Sequence, residues 1–163
     1  MNNLEIDRII VECQDELDRV KLIVDGLGPA ANVVPYLNKY AIIRACGVIE
    51  VAYKSIVADY CDRRSKIQVK TFLKRYVREN SKNPNYKNMC SLLKEFDVNW
   101  NIQFRTRINA HADKTRIKTS ITSLVDARNE FAHGGNPSST VADVIAYFGD
   151  CRVVIDIIDD IVN

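Results

Sequence analysis

Two histidines, His111 and His133, are the only imidazoles in the 163 residues. The chain has no Gly-rich phosphate loop, no G-x-S-x-G elbow, no H-E-x-x-H and no Cys/His cluster with metal spacing, so any chemistry falls to one histidine and a cation. The informative stretch runs from Ser120 to Gly135. Its apolar row is Ile117, Ile121, Leu124 and Phe131, and the member missing from that row is Arg128. A guanidinium on a core-facing row is costly unless it is paired or opens onto a polar cleft. Asn129 and His133 lie four apart, on one helical face, where the amide is placed to hold the imidazole in one tautomer. Arg128 and His133 sit about 140° apart on an ideal helix. Unwinding at Gly134-Gly135 is expected to turn both side chains into one cleft. An arginine clamp and a proton-transferring histidine are the parts of a phosphodiester site.

Other roles remain open for the same residues. Arg128 can be a structural arginine bridging Glu50 or Asp126, and His133 a cation facing a helix C-terminus. Glu50 and Lys54 can be a plain i,i+4 pair, and Tyr53, Trp100 and Phe104 can be core. Arg105 and His111 form a second Arg/His pair, with five residues between them, in a polar segment of poor periodicity. The Arg128 pair is preferred because of Asn129, the regular row before it and the glycine turn after it.

The elements that must position these residues are helical throughout. Ile6, Ile10, Cys13, Leu17, Val20 and Val24 make one stripe on a first helix, which Gly26-Leu27-Gly28-Pro29 ends. A second helix spans about 35–62 and is apolar on almost every side, which places it centrally. Helices follow at 66–80, 86–97, 99–109 and 113–132, with Asn83-Pro84-Asn85 as a breaker. A last helix starts at Ser139 or Thr140, where Thr140 and Asp143 resemble a capping box. With no alternating strand pattern, no repeat and no linker, residues 1–163 read as a single-domain all-α antiparallel bundle of six to seven helices.

Composition is that of an ordinary globular chain, 47% hydrophobic and 27% charged. No membrane span and no secretory leader are read, and the five scattered cysteines are expected to be reduced, so the expected location is cytoplasmic. No metal and no cofactor are expected. Charge is segregated: residues 63–118 carry 15 Lys/Arg against 4 Asp/Glu, a net +11, between acidic ends of −4 and −5. Such a basic third is either a solvated face or the footprint of a polyanion partner, with Lys70, Lys74 and Arg78 as candidate backbone contacts.

Arg128-Asn129-x-x-x-His133 resembles the R-N-x-x-x-H form of the R-x(4–6)-H motif of HEPN domains. The run Ile43 to Tyr53, with Glu50 and Tyr53, resembles the E-x-x-Y helix of prokaryotic RiboL-PSP-type HEPN groups. Together the similarity covers roughly residues 36–163. It departs from the R-x4-H-x-Y subgroup, because Gly135 stands where that subgroup has tyrosine. The resemblance implies an antiparallel helical core, a homodimer with the two motifs meeting at the interface, and metal-independent RNA cleavage. It also implies toxin–antitoxin or phage-defence loci, hence an antitoxin or defence partner protein. In that scheme Arg128 and His133 are catalytic, Asn129 orients, and Glu50 positions Arg128 or a water. The alternative is a non-catalytic HEPN scaffold binding RNA, nucleotide or a partner protein.

Overall fold

The computed structural model describes residues 1–163, and every regular element in it is a helix. The seven are α1 (Leu4–Leu27), α2 (Val34–Asp62), α3 (Ile67–Leu73), α4 (Tyr86–Phe96), α5 (Val98–Ala110), α6 (Lys114–Ala132) and α7 (Val141–Val162). The first stripe is as expected: Ile6, Ile10, Cys13, Leu17 and Val20 are buried along α1. Gly28 ends the helix at φ 80°, a value that a side chain would strain. Val24, at the end of the stripe, is only half-buried.

Long helix α2 packs against α1, α6 and α7 on its inner sides and against α3 and α4 near its far end. Its middle is buried from Ala41 to Ala58, as an all-round apolar helix requires. One flank departs from that expectation. Tyr36, Tyr40, Ile43 and Val51 are exposed, because no helix of this chain covers that side. One core cluster draws residues from all seven helices, so burial is shared rather than divided between domains. Leu17 and Phe148 lie wholly inside it, and truncating either to alanine is a change of about 2–5 kcal/mol.

The segment 66–80 is not one regular helix. After α3 the chain widens into a π turn over Lys74–Arg78, with the Glu79 amide donating to the Lys74 carbonyl at 2.9 Å. Val77 stays buried there while Arg78 reaches Asp59 and Asp62 of α2, at 2.5 and 2.9 Å. The π turn and the ion pairs to two carboxylates of α2 thus occur together at Arg78. Apolar periodicity carries no sign of either.

The chain ends meet at Asp159, which is fully buried. Its carboxylate accepts the backbone N–H of Asn2 and, at 3.2 Å, that of Asn3, and so caps the orphan donors before α1. At the start of α7 the capping box is complete. The Thr140 side chain accepts from the Asp143 amide, and the Asp143 carboxylate accepts from the Thr140 amide at 2.9 Å. That backbone bond first, and the Thr140 hydroxyl second, hold the Asp143 carboxyl below its ordinary value. A carboxyl depressed by folding stabilises above its unfolded pKa, and the gain disappears as pH falls through the folded value. Asp143→Asn should therefore lower the urea midpoint at pH 7 and leave it nearly unchanged at acid pH. Thr140→Ala should cost about 1 kcal/mol at pH 7, read by circular dichroism.

Candidate active site

Arg128 lies on the last turns of α6, in line with buried Ile117, Ile121 and Leu124. That row faces this chain's own core, and its guanidinium emerges half-buried where α6 passes α2. It has no carboxylate within 4.0 Å, so neither Glu50 nor Asp126 neutralises it. One contact holds it: Nη1 donates to Asn129 Oδ1 at 3.2 Å. Asn129 Oδ1 also accepts from Asn83 Nδ2 at 3.1 Å. The expected Asn129–His133 contact is absent. The amide serves the arginine and the 80–85 loop instead.

Across the contact, α2 presents Cys46, Glu50, Tyr53 and Lys54. Burial pushes the Cys46 thiol up to about 12, with the neighbouring Arg128 charge opposing and Glu50 adding to the rise. The thiol beside the arginine therefore stays protonated and is no nucleophile. Glu50 does not touch Arg128. Its Oε1 takes the Lys54 ammonium at 2.9 Å and the backbone N–H of Lys82 at 2.9 Å. One turn on, the Tyr53 hydroxyl donates to the Lys82 carbonyl at 3.0 Å. Glu and Tyr at this spacing hold both polar groups of one residue in the loop. Lys54, 5% exposed, completes the clamp by donating to the Asn80 carbonyl at 2.9 Å. Glu50 thus positions Arg128 only at second hand, through Asn83 and Asn129. The i,i+4 pair and the core tyrosine are both real, and both serve this loop.

His133 caps α6 and is exposed, and no hydrogen bond restrains its ring. The glycines after it form a tight exit rather than a loose hinge. Gly134 donates to Phe131 at 3.0 Å and Gly135 to Glu130 at 2.8 Å, the two bonds of a Schellman motif. Gly134 has φ 84°, and a Cβ on Gly135 would come within 2.9 Å of the Glu130 carbonyl oxygen. The helix ends at Ala132, and His133 is its cap at φ −92° and ψ 15°, outside the helical region. Lys39 of α2 anchors the chain just beyond the glycines, bonding Asn136 at 2.7 Å and lying 5.4 Å over the Phe131 ring.

The other Arg/His pair is built differently. His111 Nδ1 accepts the Asp113 amide at 3.1 Å and so stabilises the turn between α5 and α6. That acceptor role occupies the nitrogen a general base would need. No three His, Cys, Asp or Glu side chains are grouped to hold a metal ion.

The three cations named for RNA contact differ in availability. Lys70 is exposed with no ion pair, Lys74 is exposed with Glu79 at 3.7 Å, and Arg78 is committed to Asp59 and Asp62. Within 63–118, Lys74, Arg78, Lys82, Arg107 and Arg116 pair with carboxylates, and the other ten of the fifteen cations do not. Phe104 is fully buried, and Trp100 packs edge-on against Tyr60 at 5.3 Å.

The family model described as RiboL-PSP-HEPN matches residues 3–163. The chain belongs to the RiboL-PSP-HEPN family. The match takes in α1, which lies outside the span suggested by the Arg/His and Glu/Tyr motifs, and α1 packs directly on the helix that carries Glu50 and Tyr53. No curated protein and no solved structure matches the chain. In this HEPN domain, no helix is long and apolar enough to cross a membrane.

The clamp yields a stability prediction. Glu50→Ala leaves the Lys54 ammonium buried without a counter-charge and should cost about 3–5 kcal/mol. Glu50→Gln, which keeps an oxygen for the Lys82 amide, should lose less. Tyr53→Phe should lose about 1 kcal/mol. Urea unfolding followed by circular dichroism checks the order.

Proposed function

We propose that this HEPN domain is a metal-independent endoribonuclease that acts as a dimer, in the setting of a toxin or phage-defence effector. The observation that carries the reading is a half-buried guanidinium without a carboxylate partner, held by an asparagine and five residues from an exposed histidine. A cation in that state has its phosphate-binding face unspent. RNA brings its own nucleophile, the 2′-hydroxyl. His133 takes the 2′ proton as the oxygen attacks phosphorus, and Arg128 neutralises the added charge on the five-coordinate phosphorus. The bond to the 5′ oxygen breaks as that oxygen receives a proton from His133 of the partner subunit, leaving a 2′,3′-cyclic phosphate and a 5′-hydroxyl.

The open flank of α2 supports the dimer. Tyr36, Tyr40 and Ile43 are exposed and share a shallow hollow with Phe131, two residues from His133. Covering that flank with a second copy buries the apolar side chains and brings two α6 ends together. The second reading, a HEPN scaffold that binds RNA, nucleotide or a partner protein without cutting, is favoured by one observation: nothing orients the His133 ring.

Cleavage separates the two. Arg128→Ala and His133→Ala should each abolish cutting, and the double variant should be little worse than either. Arg128→Lys should also fail, because an ammonium lacks the planar two-pronged contact. His111→Ala should retain activity, and EDTA should make no difference. Ile43→Lys should give a folded monomer by light scattering that no longer cuts. A folded dimer that cuts no RNA would favour the scaffold.

Binding follows the basic third. RNA affinity, read by anisotropy, should fall steeply between about 50 and 200 mM salt. Lys70→Glu and Lys74→Glu should weaken it without moving Tm. Arg78→Glu should lower Tm as well, since it sets an anion against Asp59 and Asp62.

A further inference from the structure

A cavity of about 330 Å³ lies between the π turn, the end of α4 and the buried end of the α2 clamp. That volume is at the small end of the roughly 300–1,000 Å³ range of ligand pockets. Its walls include Phe72, Tyr76 and Phe96, and its polar lining includes Lys54, Lys82 and Glu95. Phe72 and Tyr76 are stacked, with ring centroids 4.7 Å apart, yet 56% and 63% exposed. Two large rings on one helical face with nothing over them are a poor use of apolar surface in a solvated helix. Tyr76 stands on the π turn and Phe72 on the last turn of α3 just before it; π turns are rare in helices and gather at functional sites.

Three observations say what such a pocket would hold. Apart from Lys54, every residue named in its lining belongs to the +11 segment, and Lys70, Arg75 and Lys94 close by have no carboxylate partner. A polyanionic strand is drawn to this side. The lining also offers a donor and an acceptor beside flat rings, the ammonium of Lys82 and the carboxylate of Glu95, with the Lys54 ammonium, already bonded to Glu50 and Asn80, behind them. That combination suits the edge of a nucleobase and would be wasted on an aliphatic ligand. Finally, Asn80 and Lys82 line the cavity, while Asn83, the next residue, holds Asn129 and through it Arg128. Cavity and arginine are thus both tied to one short loop.

We propose that this cavity receives one base of single-stranded RNA, stacked on Tyr76 and Phe72, beside the phosphate held at Arg128. The proposal rests on the ribonuclease reading for the phosphate, and it supplies a position at which the strand is gripped by stacking rather than by charge alone. Stacking platforms accept any base, since each has a π face, so the grip tolerates sequence while requiring an unpaired strand. Half-buried Lys82 and exposed Glu95, paired at 3.5 Å, are placed to favour some base edges over others.

The test reads binding directly, with the full chain and a short 2′-O-methyl oligonucleotide that cannot be cleaved. Tyr76→Ala and Phe72→Ala should each weaken binding about ten-fold by anisotropy, with unchanged melting curves, and Tyr76→Trp should restore it. The same oligonucleotide carrying 5-iodouridine should photo-crosslink within residues 67–78, and a duplex probe should not. Unchanged affinity in both alanine variants, or crosslinks that map only outside 67–78, would overturn the proposal. Because the probe is not cut, a chain that crosslinks at Tyr76 yet never cleaves RNA would refute the nuclease and leave the base pocket standing.

Discussion

The ammonium of Lys54 is taken almost wholly out of water, and a buried ammonium demands both a counter-charge and oxygen acceptors. Glu50 supplies the charge from one turn earlier on the same helix, and the Asn80 carbonyl supplies a second acceptor from the 80–85 loop. The loop is then committed to α2, and Tyr53 and Glu50 between them satisfy the carbonyl and amide of Lys82. Everything that orients Arg128 hangs from this arrangement. Asn83 follows Lys82, Asn129 accepts from Asn83, and Arg128 donates to Asn129. An arginine with no carboxylate partner is otherwise a floppy side chain; here one buried ion pair limits where it can point.

The two halves of the Arg/His motif are consequently held to different degrees. The arginine is tied through a chain of hydrogen bonds that ends in a buried charge. The histidine is tied only through its backbone, by a helix exit whose glycines allow one path for the chain. In the proposed reading, a tethered cation beside an imidazole with no hydrogen bond is workable chemistry if a second surface completes the cleft. The uncovered flank of α2, apolar and adjacent to Phe131, is where such a surface would sit. Charge follows the same division of labour. Cations that build the fold, such as Arg78 and Arg116, are spent on carboxylates of α2 and α7, whereas those on the α3–α5 side are largely free in solvent.

The candidate site residues are picked out by residue type and spacing, and the contacts that differ from expectation have specific causes. Arg128 stood out because a guanidinium interrupted an apolar row. His133 stood out because a glycine pair followed it. Asn129 takes a different partner from the one its spacing predicts, because four-residue spacing measures nearness along one helix and says nothing of a loop arriving from 46 residues away. Glu50 reads as positioning Arg128 or a water because the Lys82 amide becomes its neighbour only after the loop folds back, and i,i+4 spacing does not show that its pair with Lys54 is buried. The cavity under the π turn had no sequence signal, since Phe72 and Tyr76 read as ordinary members of a helix.

By itself the sequence determined most of the helices, their approximate limits and most of the core. Those depend on local properties: apolar residues at helical spacing, glycines at the exits of α1 and α6, and a Thr/Asp cap at the entry of α7. It also determined the segregation of charge, which is a count along the chain. Only the tertiary structure decided which cations remain free, which flank of α2 stays uncovered, and which partner each polar side chain in the site takes. Those outcomes are set by competition among groups distant in sequence for a few buried donors and acceptors. Periodicity cannot rank that competition, because the burial of Lys54 and the partners it then needs exist only once the bundle has closed around it.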